Sequence, residues 1–214
     1  MIFPAKSAFR AAALSAALLF AAQASAQGQA KGPPGTNPNE FKVLKLTDLK
    51  HDYLQKPRSL SGASAKAKEW GVFDVTFATA PEWIDGLVVT FTVVLDDPKA
   101  DVKKGDAKLS LFQTTIEYPH VDKGNAHKVG VVLPPAALGR FGAPIGFAAQ
   151  FSVGGQEIAA QGVAEGMLKS VGEGWWTNPK VLEAQFLQSR EGYLVDRAKS
   201  PFLLVDIDSY EVSR

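Results

Sequence analysis

The sequence has no cysteine among its 214 residues. That excludes a disulfide, a thiolate nucleophile, a CxxC redox pair, a cysteine-ligated zinc site and a lipid anchor of the Cys-acylated kind. An excess of charge of one sign is also missing, since 23 Lys and Arg stand against 22 Asp and Glu. A chain so balanced projects no field that would hold a polyanion, so neither nucleic acid nor an anionic lipid surface is an expected partner. No apolar stretch is long enough to cross a bilayer as a helix. Catalytic signatures are absent too. The serines occur without G-x-S-x-G, there is no H-E-x-x-H, and Gly139, Gly142 and Gly146 do not follow the spacing of a phosphate-binding loop. Amphipathic helices do not recur between strands, which argues against a parallel α/β enzyme fold.

What is present begins with an export signal. Lys6 and Arg10 precede an apolar stretch at residues 11–22, and Ala24-Ser25-Ala26 supplies the small side chains that signal peptidase requires. Cleavage is expected between Ala26 and Gln27, giving a protein of the periplasm, the outer surface or the surrounding medium. Residues 27–39 (QGQAKGPPGTNPN) have no apolar periodicity and read as a flexible leader. The remaining span, 40–214, reads as one domain. With 46% hydrophobic residues and no staple, that domain must be held by its core.

The body alternates with a period of two. Leu87, Val89, Phe91, Val93 and Leu95 place a large apolar side chain at every second position, and Phe73, Val75 and Phe77 do the same. Residues 80–86 (APEWIDG) break the pattern between them. Further strands are expected at 41–46, at 108–118 and 128–133 around the turn 122–125 (DKGN), and at 145–153 and 156–163 around Gly154-Gly155. Eight or so short strands with Gly, Pro and Asn turns imply an all-β, antiparallel sandwich. Residues 178–188 fit a helix capped by Asn178 or an alternating strand, and 134–138 a single helical turn.

Candidate sites are few. If 122–125 is a hairpin loop, His120 faces His127, and the two imidazoles come within reach of one metal ion. Two ligands do not define a site, and the spacing is no zinc pattern, so the expectation is two exposed histidines and no cofactor. Asp96, Asp97, Asp101 and Asp106 lack the order of a calcium loop and are interleaved with Lys99, Lys103 and Lys104. Trp175-Trp176 after Gly172-Glu173-Gly174 could offer an indole to a sugar ring. Read as a strand, the pair would have one ring in the core and the other at an edge. Trp70 and Trp83 fit burial or a corner plug. Asp206 and Asp208 alternate as if on a strand facing solvent.

The segments WGVFDVTFATAPEWIDGLVVTFTVVLDD (70–97) and REGYLVDRAKSPFLLVDIDSYE (190–211) resemble a family of small exported immunoglobulin-like proteins of Verrucomicrobia-type bacteria, associated with type IV pilus assembly genes. The resemblance implies an immunoglobulin-like sandwich without enzymatic activity, a pilus-associated accessory or structural component whose partners are envelope or pilus proteins or further copies of itself. The apolar stretch ends in an ordinary A-x-A site and leaves no filament-packing helix, unlike a bacterial major pilin. The alternative is a carbohydrate-binding module that uses an exposed tryptophan. Amino-terminal sequencing of the exported protein is expected to start at Gln27; retention of residues 1–26 would contradict the assignment of a cleaved signal.

Overall fold

The structure is a computed structural model that describes residues 40–57, 68–203 and 210–213. The expected signal peptide and leader, most of the polar connection at 59–68, and Asp206 and Asp208 lie outside the described residues. Two long strands dominate, β3 (Trp70–Asp96) and β4 (Leu109–Leu133). They pair antiparallel from Gly71 opposite Leu133 to Asp96 opposite Leu109. The breaks expected at 80–86 and 122–125 do not end either strand. Register shifts absorb them instead: Phe77 pairs with His127, Thr79 with Gly124 and Trp83 with Asp122. Each shift leaves extra residues on one strand, and such bulges bend a ribbon and increase its coil.

The remaining strands attach to the two halves of this bent ribbon. β1 (Phe41–Leu46) and β2 (Leu54–Gln55) pair with the first half of β3. β5 (Ala143–Val153) pairs with the second half, and β6 (Gln156–Ala164) with β5. On the other side, β7 (Leu187–Arg190) joins one end of β4 and β8 (Val195–Asp196) the other. The described fold is thus mostly β, one hydrogen-bonded sheet of eight strands with a few short helices. It is not purely antiparallel, because β7 runs parallel to β4. The chain re-enters the sheet there after crossing its outer face, which a tight hairpin could not achieve.

The bend lets the inward residues of both halves share one core. Phe73, Val75 and Phe77 of the first half, and Leu87, Val89, Phe91, Val93 and Leu95 of the second, are all fully buried, as the period of two requires. Phe73 lies 5.4 Å from Phe147 of β5, and Phe77 lies 5.4 Å from Phe151, ring centre to ring centre. Phe41 of β1 closes the layer at 5.0 Å from Phe77 and 4.9 Å from Phe151. Complete burial of one such ring stabilises by about 1.5–3 kcal/mol, and tilted ring pairs add to it.

The outer faces are covered by helical segments. α1 (Pro135–Phe141) leads from β4 to β5 and is longer than the single turn expected. α2 (Gly166–Lys169), the 3₁₀ turn Trp175–Thr177 and α3 (Pro179–Leu182) lie over the second half of the ribbon. There Leu168, Trp175, Trp176 and Val181 pack on Val94, Leu109 and Ala148. Both tryptophans are buried, correcting the expectation of one core and one edge ring. A 3₁₀ turn, unlike a strand, does not send neighbouring side chains to opposite faces. The ambiguity at 178–188 resolves into both structures in turn: Asn178 Oδ1 accepts from the Lys180 N–H and caps α3, and β7 follows from Leu187. A second, smaller apolar group, Val72, Val132 and Phe202, covers the outer face of the first half.

Glycines sit where indoles meet the sheet. A Cβ at Gly162 would collide with the Trp176 ring, and one at Gly146 would come within 2.8 Å of Trp175. Gly139 in α1 has open space and ordinary helical backbone. Gly162→Ala is therefore expected to lower the unfolding free energy by about 1–3 kcal/mol, and Gly139→Ala to raise it by about 0.5–1 kcal/mol. Urea denaturation measures both; equal effects at the two positions would contradict the packing described.

Candidate functional site

His120 and His127 do not form a pair. With 122–125 carried inside β4 there is no hairpin loop to bring them face to face. His120 stands opposite Asp85, and His127 opposite Phe77. His120 is exposed and bonds Asp85 at 2.9 Å. His127 is 7% exposed and stacks on Phe77 with ring centres 5.2 Å apart. Among the described residues no group of three or more His, Asp or Glu is arranged to hold a metal ion.

His127 is instead the centre of a buried chain of hydrogen bonds that the sequence reading missed. Its Nε2 lies 3.1 Å from Thr79 Oγ1, and its Nδ1 lies 2.6 Å from Glu211 Oε1. Thr79 Oγ1 also donates to the Asp122 carbonyl at 2.7 Å and accepts from the Gly124 N–H at 3.1 Å. The imidazole thus bridges the Thr79 hydroxyl on its Nε2 side and the Glu211 carboxylate on its Nδ1 side. The order hydroxyl, imidazole, carboxylate looks like a nucleophile with its base, but the Thr79 proton is held by backbone and the residue is buried.

The same chain fastens the carboxyl-terminal segment to the sheet. Glu211 N–H donates to the Lys128 carbonyl at 2.9 Å. Tyr210 Oη donates to Asp74 Oδ2 at 2.8 Å, and the Lys128 and Arg197 cations lie 4.5 and 3.5 Å from its ring centre. Ser213 Oγ donates to Asp196 Oδ2 at 2.6 Å. Beneath this layer, burial first and then the carboxylates of Asp196, Glu211 and Asp74 push the Tyr118 hydroxyl far above its usual range, so it stays protonated. Asp74 lies over the backbone opposite it only because that residue is Gly130, where a Cβ would strike the carboxylate.

The feature most exposed to a partner is the bend of the ribbon. Trp83, expected inside the core or as a corner plug, is 59% exposed. Its neighbour Ile84 and the facing Val121 are fully buried. Strand alternation then sends Trp83, Asp85, His120 and Asp122 outward together, with Trp83 opposite Asp122 and Asp85 opposite His120. An indole is thus presented on a strand face that also carries Asp85 and Asp122, whose carboxylates lie against His120 at 2.9 Å and near His127 at 3.9 Å. Its sign in the sequence is Asp85, a charged residue two positions on and so on the same strand face as Trp83.

A protein-family model matches residues 36–214. Among solved structures, the chain is similar to the crystal structure of a protein from Akkermansia muciniphila, with a TM-score of 0.64 at 18% identity, covering 82% of this chain and 92% of that one. At that identity the likeness is one of fold. No curated protein matches the chain.

The buried chain and the exposed pair predict opposite responses to mutation. Glu211→Gln is expected to cost about 1.5–3 kcal/mol of stability, since a charged acceptor is lost from a buried donor. Asp85→Asn, which breaks the exposed contact to His120, is expected to leave the unfolding midpoint unchanged. Paired denaturation curves check this, and an unaffected Glu211→Gln variant would show that the carboxyl-terminal fastening contributes nothing.

Proposed function

The chain belongs to the Verrucomicrobia family whose model spans residues 36–214, and from that membership and the geometry we propose an exported, pilus-associated envelope protein that works by protein–protein contact and not by catalysis. Its contact surface is the bend of the β3–β4 ribbon. The observation that carries this is Trp83, 59% exposed beside a completely buried Ile84. Tryptophan dominates the binding energy of many interfaces because it covers a large area with few rotatable bonds. Here the backbone beneath it is fixed by the bulges and the buried neighbours, so little ordering cost accompanies docking.

The obvious rival surface on the same molecule is weaker. β1 pairs only with β3 among the described strands and so offers an open edge. It carries exposed Lys42 and Lys45, and its register shifts between Val43 and Lys45. Charged lysines and a bulge are devices that blunt an edge against further pairing. The two facing halves of the bent ribbon support the reading of the domain as an immunoglobulin-like sandwich, with the contact residue at one end, where such domains commonly bind.

A second reading has its own support. Asp85 and Asp122 share the strand face of Trp83, and carboxylates on the same face as an exposed aromatic ring can accept the hydroxyls of a stacked sugar. Trp175 and Trp176, both buried, do not serve that purpose. Replacing Trp83 by a photo-crosslinking aromatic residue in the native host separates the two. Covalent adducts with discrete envelope proteins, absent when the group is placed at Thr115, are expected. Absence of any adduct, together with a glycan-dependent shift in Trp83 fluorescence, would replace protein contact with sugar binding.

A further inference from the structure

At the end of the ribbon away from the bend, a polar pocket of about 290 Å³ opens between the loop after β3, the end of α1 and β7. Arg140 and Arg190 line it together with Ser110, Gln188, Asp97 and Asp106. The guanidinium carbons of Arg140 and Arg190 each lie 5.1 Å from the centre of the same ring, Phe141. That ring is itself fixed edge-on by Phe112 at 5.4 Å and Tyr193 at 5.3 Å. Two guanidiniums sharing one ring are no more than about 10 Å apart, within a Debye length at moderate salt, and repel each other.

Asp97 and Asp106 share the pocket, with Lys99 beside them, but no carboxylate of the described residues closes on either guanidinium. Neither arginine forms an ion pair there, and the Arg190 Nε is buried without a hydrogen-bond partner. One oxygen of each pocket acid is taken up by the loop backbone. Asp97 Oδ1 accepts from the Lys99 N–H at 2.9 Å, and Asp106 Oδ2 accepts from the Asp101 N–H at 3.1 Å, closing the loop on itself. Asp96, at the adjoining end of β3, also has one buried carboxylate oxygen with no partner. A buried polar N–H without an acceptor costs free energy. A chain that could form surface ion pairs elsewhere here keeps two rigid forks free over one ring.

We propose that this pocket binds an oxyanion group, a carboxylate, sulfate or phosphate, gripped by Arg140 and Arg190. Planar guanidiniums match such groups with paired hydrogen bonds, and stacking on Phe141 sets their orientation before the ligand arrives. The Ser110 side of the pocket, on β4, and Gln188, on β7, add uncharged polar groups that could read the remainder of an acidic ligand of roughly monosaccharide size.

The test follows the arginine Nε–Hε signals of the full chain by nuclear magnetic resonance during titration with sodium sulfate, phosphate, acetate and glucuronate. Glucose and sodium chloride at matched ionic strength serve as controls. Saturable shifts of the Arg140 and Arg190 signals with at least one oxyanion, and none with glucose or chloride, are expected. Preference for glucuronate over acetate would identify an acidic sugar as the source, and preference for sulfate or phosphate an inorganic or esterified anion. Arg140→Gln, at an exposed position that does not endanger folding, is expected to weaken binding by about tenfold or more, with Arg140→Lys intermediate. Shifts that never saturate, that chloride reproduces, or that the Arg190 signal shows at unchanged affinity in the Arg140→Gln variant overturn the proposal.

Discussion

One hydroxyl makes the bend of the ribbon possible. The bulges that fold β3 and β4 back on themselves take backbone groups off the ladder, and a buried orphan donor or acceptor would oppose the fold. Thr79 Oγ1 collects them, donating to the Asp122 carbonyl and accepting from the Gly124 N–H. His127 then supports the threonine, Glu211 supports the histidine, and through Glu211 the carboxyl-terminal segment is tied to β4. Only a bent ribbon can set Phe73 and Phe77 against Phe147 and Phe151. In a chain with no disulfide, that aromatic layer is what holds the two halves together. The polar chain and the apolar layer are therefore two sides of one constraint: the first permits the geometry that the second stabilises.

Much of this architecture was legible because the strands alternate. The inward set from Phe73 to Leu95 could be read directly, and so could β1, β5 and β6, since one buried face imposes a period of two whatever the strands' partners. Continuity of β3 and β4 was not legible. Pro81, Gly86 and Gly124 are turn residues by every local rule, and local rules do not distinguish a turn that reverses the chain from a bulge that bends it. That distinction depends on whether another strand continues the pairing, which is a tertiary fact. The misplacement of His120 and His127 follows from it, because their facing was deduced from a loop that does not exist.

The tryptophans failed in a related way. Trp175 and Trp176 read as strand residues only while their neighbourhood was taken to be a strand, and in a 3₁₀ turn both indoles reach the same apolar face. Gly146 and Gly162, which clear space for them, stand in strands where glycine has no local merit, and this was a sign that something large packs from outside. Trp83 was placed inside or as a corner plug for the opposite reason. Hydrophobicity alone sends a tryptophan inward, yet the alternation that buries Ile84 forces its neighbour out. The oxyanion pocket had no sequence signature at all, since Arg140, Phe141 and Arg190 meet only after β7 has joined β4 in parallel.

The hydroxyl–imidazole–carboxylate chain shows why polar order alone does not imply chemistry. A nucleophile must give up its proton as it attacks, and the base must be free to take it. The Thr79 hydroxyl donates to the Asp122 carbonyl, and the residue is buried. Everything in that chain is spent on holding the bend. What remains unspent lies elsewhere: an indole without a covering neighbour at the bend, and two guanidiniums without a carboxylate at the far end. Residues 87–96 of β3 separate the two by roughly 30 Å of extended strand. A single partner could span that distance only as a macromolecule, and a small acidic ligand at one end leaves the other end free. The same ribbon thus carries an aromatic contact at one end and a cationic one at the other.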